Sequence, residues 1–185
     1  MLPCNSLDYS SNWICGMQEQ QKEPGCGHEV AAERVEKIVD EIEQHLEDIN
    51  GSGNFEDYSE FIRFYSESIL HKNHYLIMTA ARNLVQWYTY RSGSINDKEL
   101  REKLDLTRQL DYVLGKIDPG YSEIRSFVQK ELHFTRMVVN QRDLEAGNVD
   151  RETYLEESRI SMKALDELDR YKSSIKFNCV LNGCE

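Results

Sequence analysis

The chain is 185 residues long and carries 22 lysines and arginines against 33 aspartates and glutamates, a net charge of -11. That length suits one domain with a buried core. So acidic a chain, with no basic run, is excluded as a binder of nucleic-acid backbones, and no apolar run is long enough for a membrane helix. The first residues lack the basic-then-apolar order of a secretion signal, so the expectation is an intracellular protein of cytoplasm or nucleus with no membrane partner.

The five cysteines are Cys4, Cys15, Cys26, Cys179 and Cys184. Their odd number and their crowding at the two ends argue against a disulfide framework through the core and for reduced thiols. Residues 1–28 also hold Pro3, Pro24 and the run "QEQQKEPG", which reads as loop. Within that loop Cys15 and Cys26 are the candidate metal ligands, with Cys4 and His28 as further donors of the kinds zinc takes in a tetrahedron. A self-contained zinc knuckle has two tight C-x-x-C pairs, and here position 18 is Gln18. The competing reading is unpaired loop cysteines.

Helical periodicity begins at Glu29. Val30, Val35, Ile38, Val39, Ile42, Leu46 and Ile49 form one stripe, closed by "NGSG" at Asn50 to Gly53. A second helix places Phe55, Tyr58, Phe61, Ile62, Tyr65 and Ile69 inward. The third lies within "LHKNHYLIMTAARNLVQWYTY", Leu70 to Tyr90, with Asn73 as its cap and Tyr75, Met78, Ala81, Leu84, Val85 and Tyr88 on one face. A fourth runs from about Asp97 to Ile117 and ends at "DPG", because proline cannot donate to the helix before it. The fifth carries Ile124, Phe127, Val128, Leu132, Phe134, Val138 and Val139 and ends at Gly147. Asp150 caps a sixth, with Leu155, Met162, Leu165 and Leu168 inward. No segment alternates with period two for long enough to predict a strand.

The odd-numbered helices start near residues 29, 74 and 120, a repeat of roughly 45 residues, the period of stacked helical hairpins. The expected fold is therefore all-α, antiparallel hairpins in a tetratricopeptide-like array, with Met78, Leu84, Leu110, Phe127, Leu132 and Leu165 in the core. Such arrays offer a concave surface to a peptide or a neighbouring domain.

Reactive groups are sparse. The chain has no G-x-G-x-x-G, no phosphate loop, no H-E-x-x-H and no G-x-S-x-G. The acids from Glu29 to Asp48 read as the wet face of an amphipathic helix. His71 and His74 stand three apart rather than four, which fits a helix boundary better than a zinc pair. His133, between Leu132 and Phe134, reads as a buried, hydrogen-bonded histidine rather than a general base, since no nucleophile stands at a suggestive spacing. Trp87, Tyr88 and Tyr90 give the third helix an aromatic end, either packed or available for stacking.

Four stretches together resemble the arthropod branch of the SET-and-MYND (SMYD) protein-lysine methyltransferases. "LPCNSLDYSSNWIC", Leu2 to Cys15, is similar to that branch's L-P-x-N-P-L-D followed by S-x-W-x-C, with Ser6 in place of a proline. "LHKNHYLIMTAARNLVQWY" resembles its L-H-P-N-H-Y helix start. "LREKLDLTRQLDYVLGKIDPGYSEIRSFVQKELH", Leu100 to His133, resembles the next helix, break and helix, and "LEAGNVDRETYLEES" the turn into the last pair.

The resemblance implies a division into residues 1–28, an irregular remnant following the post-SET region, residues 29–178, a helical C-terminal domain, and residues 179–185, a tail. It also implies that the methyl donor S-adenosylmethionine and zinc belong to the full-length family. The N-H-S-C-x-P-N core and the C-x-C-x-x-C segment that would carry them are absent here, so this chain is expected to be no enzyme and to hold no cofactor. The family's helical domain walls the substrate cleft, which implies protein partners, a peptide substrate or a SET domain, and no nucleic acid. The alternative is a stand-alone tetratricopeptide-like scaffold that binds a partner protein.

Overall fold

The computed structural model describes the backbone of residues 13–14, 29–91, 93–118, 120 and 122–181, and side chains within residues 30–171. The described elements are β1 (Trp13–Ile14), β2 (Glu29–Val30), α1 (Ala32–Ser52), α2 (Glu56–Ser68), α3 (Tyr75–Tyr90), α4 (Asp97–Ile117), α5 (Glu123–Glu145) and α6 (Arg151–Leu181). The fold is all-α apart from one antiparallel ladder, Trp13 opposite Val30 and Ile14 opposite Glu29. Two residues a strand are too few to leave an alternating signature in the sequence.

The chain forms two compact units, Met1–Asn54 and Phe55–Glu185. Their boundary falls inside the stretch 29–178 that the sequence reads as one helical domain. It follows Gly53, whose φ of 68° is the left-handed conformation that glycine adopts without steric penalty and that ends α1. In the first unit α1 buries Ile42, Leu46 and Ile49, spaced four and three apart on one face.

In the second unit each helix from α2 to α6 packs on the next, and α3 also touches α5, the arrangement of a helical-hairpin array. Local chemistry sets the helix starts. Asn96 and Glu99 form a reciprocal capping box on α4, with Glu99 N–H donating to Asn96 Oδ1 at 2.9 Å and Asn96 N–H to Glu99 Oε2 at 2.8 Å. Ser122 accepts from Arg125 N–H on α5, and Asp150 accepts from Thr153 N–H at 2.8 Å on α6. At the end of α5, Gly147 has φ 74°, Asn148 N–H donates to Asp143 O and Gly147 N–H to Leu144 O. These are the two bonds of a Schellman ending.

The cap of α3 is His74 rather than Asn73: His74 Nδ1 accepts from Leu76 N–H at 3.4 Å. Asn73 N–H in turn donates to His71 Nδ1 at 3.2 Å. Both imidazoles therefore act as acceptors for backbone N–H groups, His74 for an orphaned donor of the first turn and His71 for the turn that leads into it.

Leu84, Leu110 and Leu132 are buried as expected, with Ala80, Ala81, Val85 and Val128 beside them, whereas Met78, Phe127 and Leu165 are half-buried. Several residues of the predicted stripes are exposed, among them Tyr75, Ile117, Ile124, Phe134 and Met162. The cause is position. Tyr75 opens α3 and Ile117 closes α4, where the neighbouring helix no longer covers them. Helix α6 packs on α5, with Ser161 and Leu168 buried, and leaves Leu155 and Met162 in water.

Candidate protein-contact groove

Cys15 and Cys26, with Cys4 and His28, lie outside the described residues. Among the described residues no group of three or more His, Cys, Asp or Glu side chains could hold a metal ion. His71 and His74 are occupied at the start of α3 as above, and burial holds the His74 pKa below the ordinary 6.5. His133 is half-buried, and its buried Nδ1 has no hydrogen-bond partner among the described residues, unlike the hydrogen-bonded core histidine expected there. Its pKa is also lowered, by burial first and then by the Arg136 charge, with Asp111 opposing.

One concave feature of the second unit is a groove of about 840 Å³ across α2, α3 and α4. Its aromatic wall is built at the start of α2 and the end of α3. The Phe55 and Trp87 rings stack with centroids 5.3 Å apart at 20°, and Trp87 lies 5.3 Å from Tyr88. Five carboxylates line the same groove, from Glu56, Glu60, Glu99, Glu102 and Asp105, against two cations, Arg63 and Lys98.

Glu102 is the best-fixed of them. Tyr88 Oη donates to Glu102 Oε2 at 2.7 Å and Ser59 Oγ donates to Oε1 at 2.9 Å, so α2 and α3 together hold a carboxylate of α4. Both donors are neutral, so the two bonds orient the charge without cancelling it. Burial, followed by the hydrogen bond and charge of Glu102, raises the Tyr88 phenol well above its ordinary range, which keeps it a donor. At the rim, the Arg91 guanidinium lies 4.4 Å from the Trp87 ring centroid and 4.0 Å from Glu99. Helical spacing in the sequence makes Trp87 and Tyr88 visible as an aromatic end. The pairing of Tyr88 with Glu102, which are fourteen residues apart, has no sequence signal.

A second polar cluster, an ion pair shielded from water, joins α4 to α5. Lys103 Nζ of α4 is 2.7 Å from Glu131 Oε2 of α5, and Thr89 Oγ1 of α3 donates to the same oxygen at 2.7 Å. It is a polar bolt through three helices.

No helix among the described residues is long and apolar enough to cross a membrane. No protein-family model, curated protein or solved structure matches the chain.

Proposed function

We propose that the chain is a non-catalytic protein-contact module, the helical C-terminal domain of a SMYD-like SET-domain protein-lysine methyltransferase, which walls the substrate cleft and contacts protein there. The observation that carries the contact reading is the α2–α4 groove, where aromatic rings and fixed carboxylates share one concavity. Stacked rings supply area for a partner's side chains, and oriented charge supplies selectivity. The assignment to that family rests on the four sequence stretches alone. On this reading S-adenosylmethionine and zinc are ligands of the family's SET and cysteine-rich segments, and this chain binds protein in the cytoplasm or nucleus.

The second reading is a stand-alone tetratricopeptide-like scaffold. The groove favours it in one respect, since all its walls come from a single compact unit. Sequencing the transcript and its genomic locus separates the two. A reading frame that continues upstream through N-H-S-C and C-x-C-x-x-C is the expected result. The absence of that frame from the locus and from every transcript would overturn the reading as a piece of a longer methyltransferase and favour the stand-alone scaffold.

A further inference from the structure

Resting on the reading of the α2–α4 groove as a protein-contact surface, we infer that its occupant is an arginine-bearing peptide segment. The guanidinium pairs with the Glu102 and Glu56 carboxylates beside the Phe55–Trp87 wall. Three observations select this chemistry.

The first is uncompensated charge. Arg63 stands 4.0 Å from Glu60, and Asp105 is paired with Arg108 at 3.2 Å, so those two carboxylates are partly answered within the fold. Among the described residues Glu102 is answered only by the Ser59 and Tyr88 hydroxyls, and no hydrogen bond or ion pair forms at Glu56. Both line the groove, so a cationic side chain entering it finds two carboxylates without a cationic partner among the described residues.

The second is an internal precedent. The rim already holds one arginine of this chain, with Arg91 over the Trp87 ring and beside Glu99. The planar, weakly hydrated guanidinium stacks on an aromatic face and presents a fork of donors to a carboxylate at once. The lysine ammonium is a compact, strongly hydrated charge and does only the second well.

The third is exclusion of other occupants. Phosphate-bearing ligands would meet the Glu102 and Glu56 carboxylates as like charges, and an apolar helix would bury those charges without pairing them.

The test is a titration followed by fluorescence anisotropy, using short labelled peptides identical except for arginine, lysine, serine or glutamate at alternate positions, at low and physiological salt. The arginine peptide should bind tightest and the lysine peptide several-fold more weakly. Glu102→Gln should weaken arginine-peptide binding by about tenfold, the loss of one charge-assisted pair. Glu56→Gln should weaken it by about threefold, and that variant removes no hydrogen bond or ion pair among the described residues, so its effect is not one of unfolding. Glu156→Gln on α6, which removes the same charge elsewhere, should leave affinity unchanged. Equal losses in all three variants, or equal affinity for lysine and arginine peptides, would overturn the inference. A serine or glutamate peptide whose binding the groove variants abolish would overturn the arginine chemistry while leaving the contact surface standing. If no peptide's affinity responds to the groove variants, the contact reading falls as well.

Discussion

Lys103 and Glu131 meet at 2.7 Å with side chains only 8% and 12% exposed, which makes them the buried ion pair that joins α4 to α5. Removing one partner leaves the other charged and desolvated. Lys103→Met or Glu131→Leu alone should each cost about 3–5 kcal/mol. The double variant replaces both charges by apolar volume and should recover most of that loss. Urea denaturation of the four species checks this. Additive losses in the double variant would show that the pair is not coupled.

Leu110 is 3% exposed and Phe134 is 54% exposed, although both lie on predicted apolar stripes. Leu110→Ala should cost about 2–5 kcal/mol, the range for emptying a packed core site. Phe134→Ala should stay within about 0.5 kcal/mol of the parent. Similar losses in both would mean that α5 presents a different face to its neighbours.

Ser161 is fully buried on α6, and its Oγ finds no hydrogen-bond partner among the described residues. A buried hydroxyl without a partner is a desolvation cost with no return bond. Ser161→Ala should therefore be neutral or should raise stability by about 1 kcal/mol. Ser161→Leu should destabilise by about 1–3 kcal/mol through overpacking against α5. Thermal melts of the two variants decide it, and a loss on Ser161→Ala would reveal a partner for the hydroxyl.

The histidines give the fold a pH dependence with a definite sign. His74 and His133 both have pKa values held below 6.5, burial being the largest cause in each. The unfolded chain then binds more protons than the folded one, so stability rises with pH in this window. Their contribution is present above about pH 6.5 and is lost as pH falls through the folded values. The denaturation midpoint should drop between pH 7 and pH 5, above the range where Asp143, Asp150 and Glu156 titrate with their depressed pKa values. His74→Asn keeps a cap acceptor and removes one titrating group, so its profile should be flatter. A midpoint that climbs on acidification would contradict the buried-histidine account.

Much of the fold was legible because it is local. Each helix carries its own apolar period, and Asp150 and Gly147 stand where a cap and a left-handed ending are needed. The cap of α3 lies one residue beyond Asn73, the position that residue type points to. Asn73 is the better cap by type, but the chain turns at His71, and His74 is left nearest the Leu76 N–H. The stripes overstated the core because periodicity marks a face and not how far a neighbour reaches along it. Ile117 and Tyr75 show this at two helix ends. The groove was the least legible part. Phe55 and Trp87 are visible as aromatics, but the Glu102 carboxylate gains its role from hydroxyls on two other helices. Lys103 was hidden for the same reason, since a lysine reads as wet until its partner on another helix is known.

Hydrogen exchange with the arginine peptide bound tests the central claim, that the α2–α4 groove is a contact surface for basic protein segments. The account predicts slower exchange at the start of α2 around Phe55 to Ser59, at the end of α3 around Trp87 and Tyr88, and along α4 from Lys98 to Asp105, with α6 unchanged. Protection confined to α6, or none at saturating peptide, would contradict it.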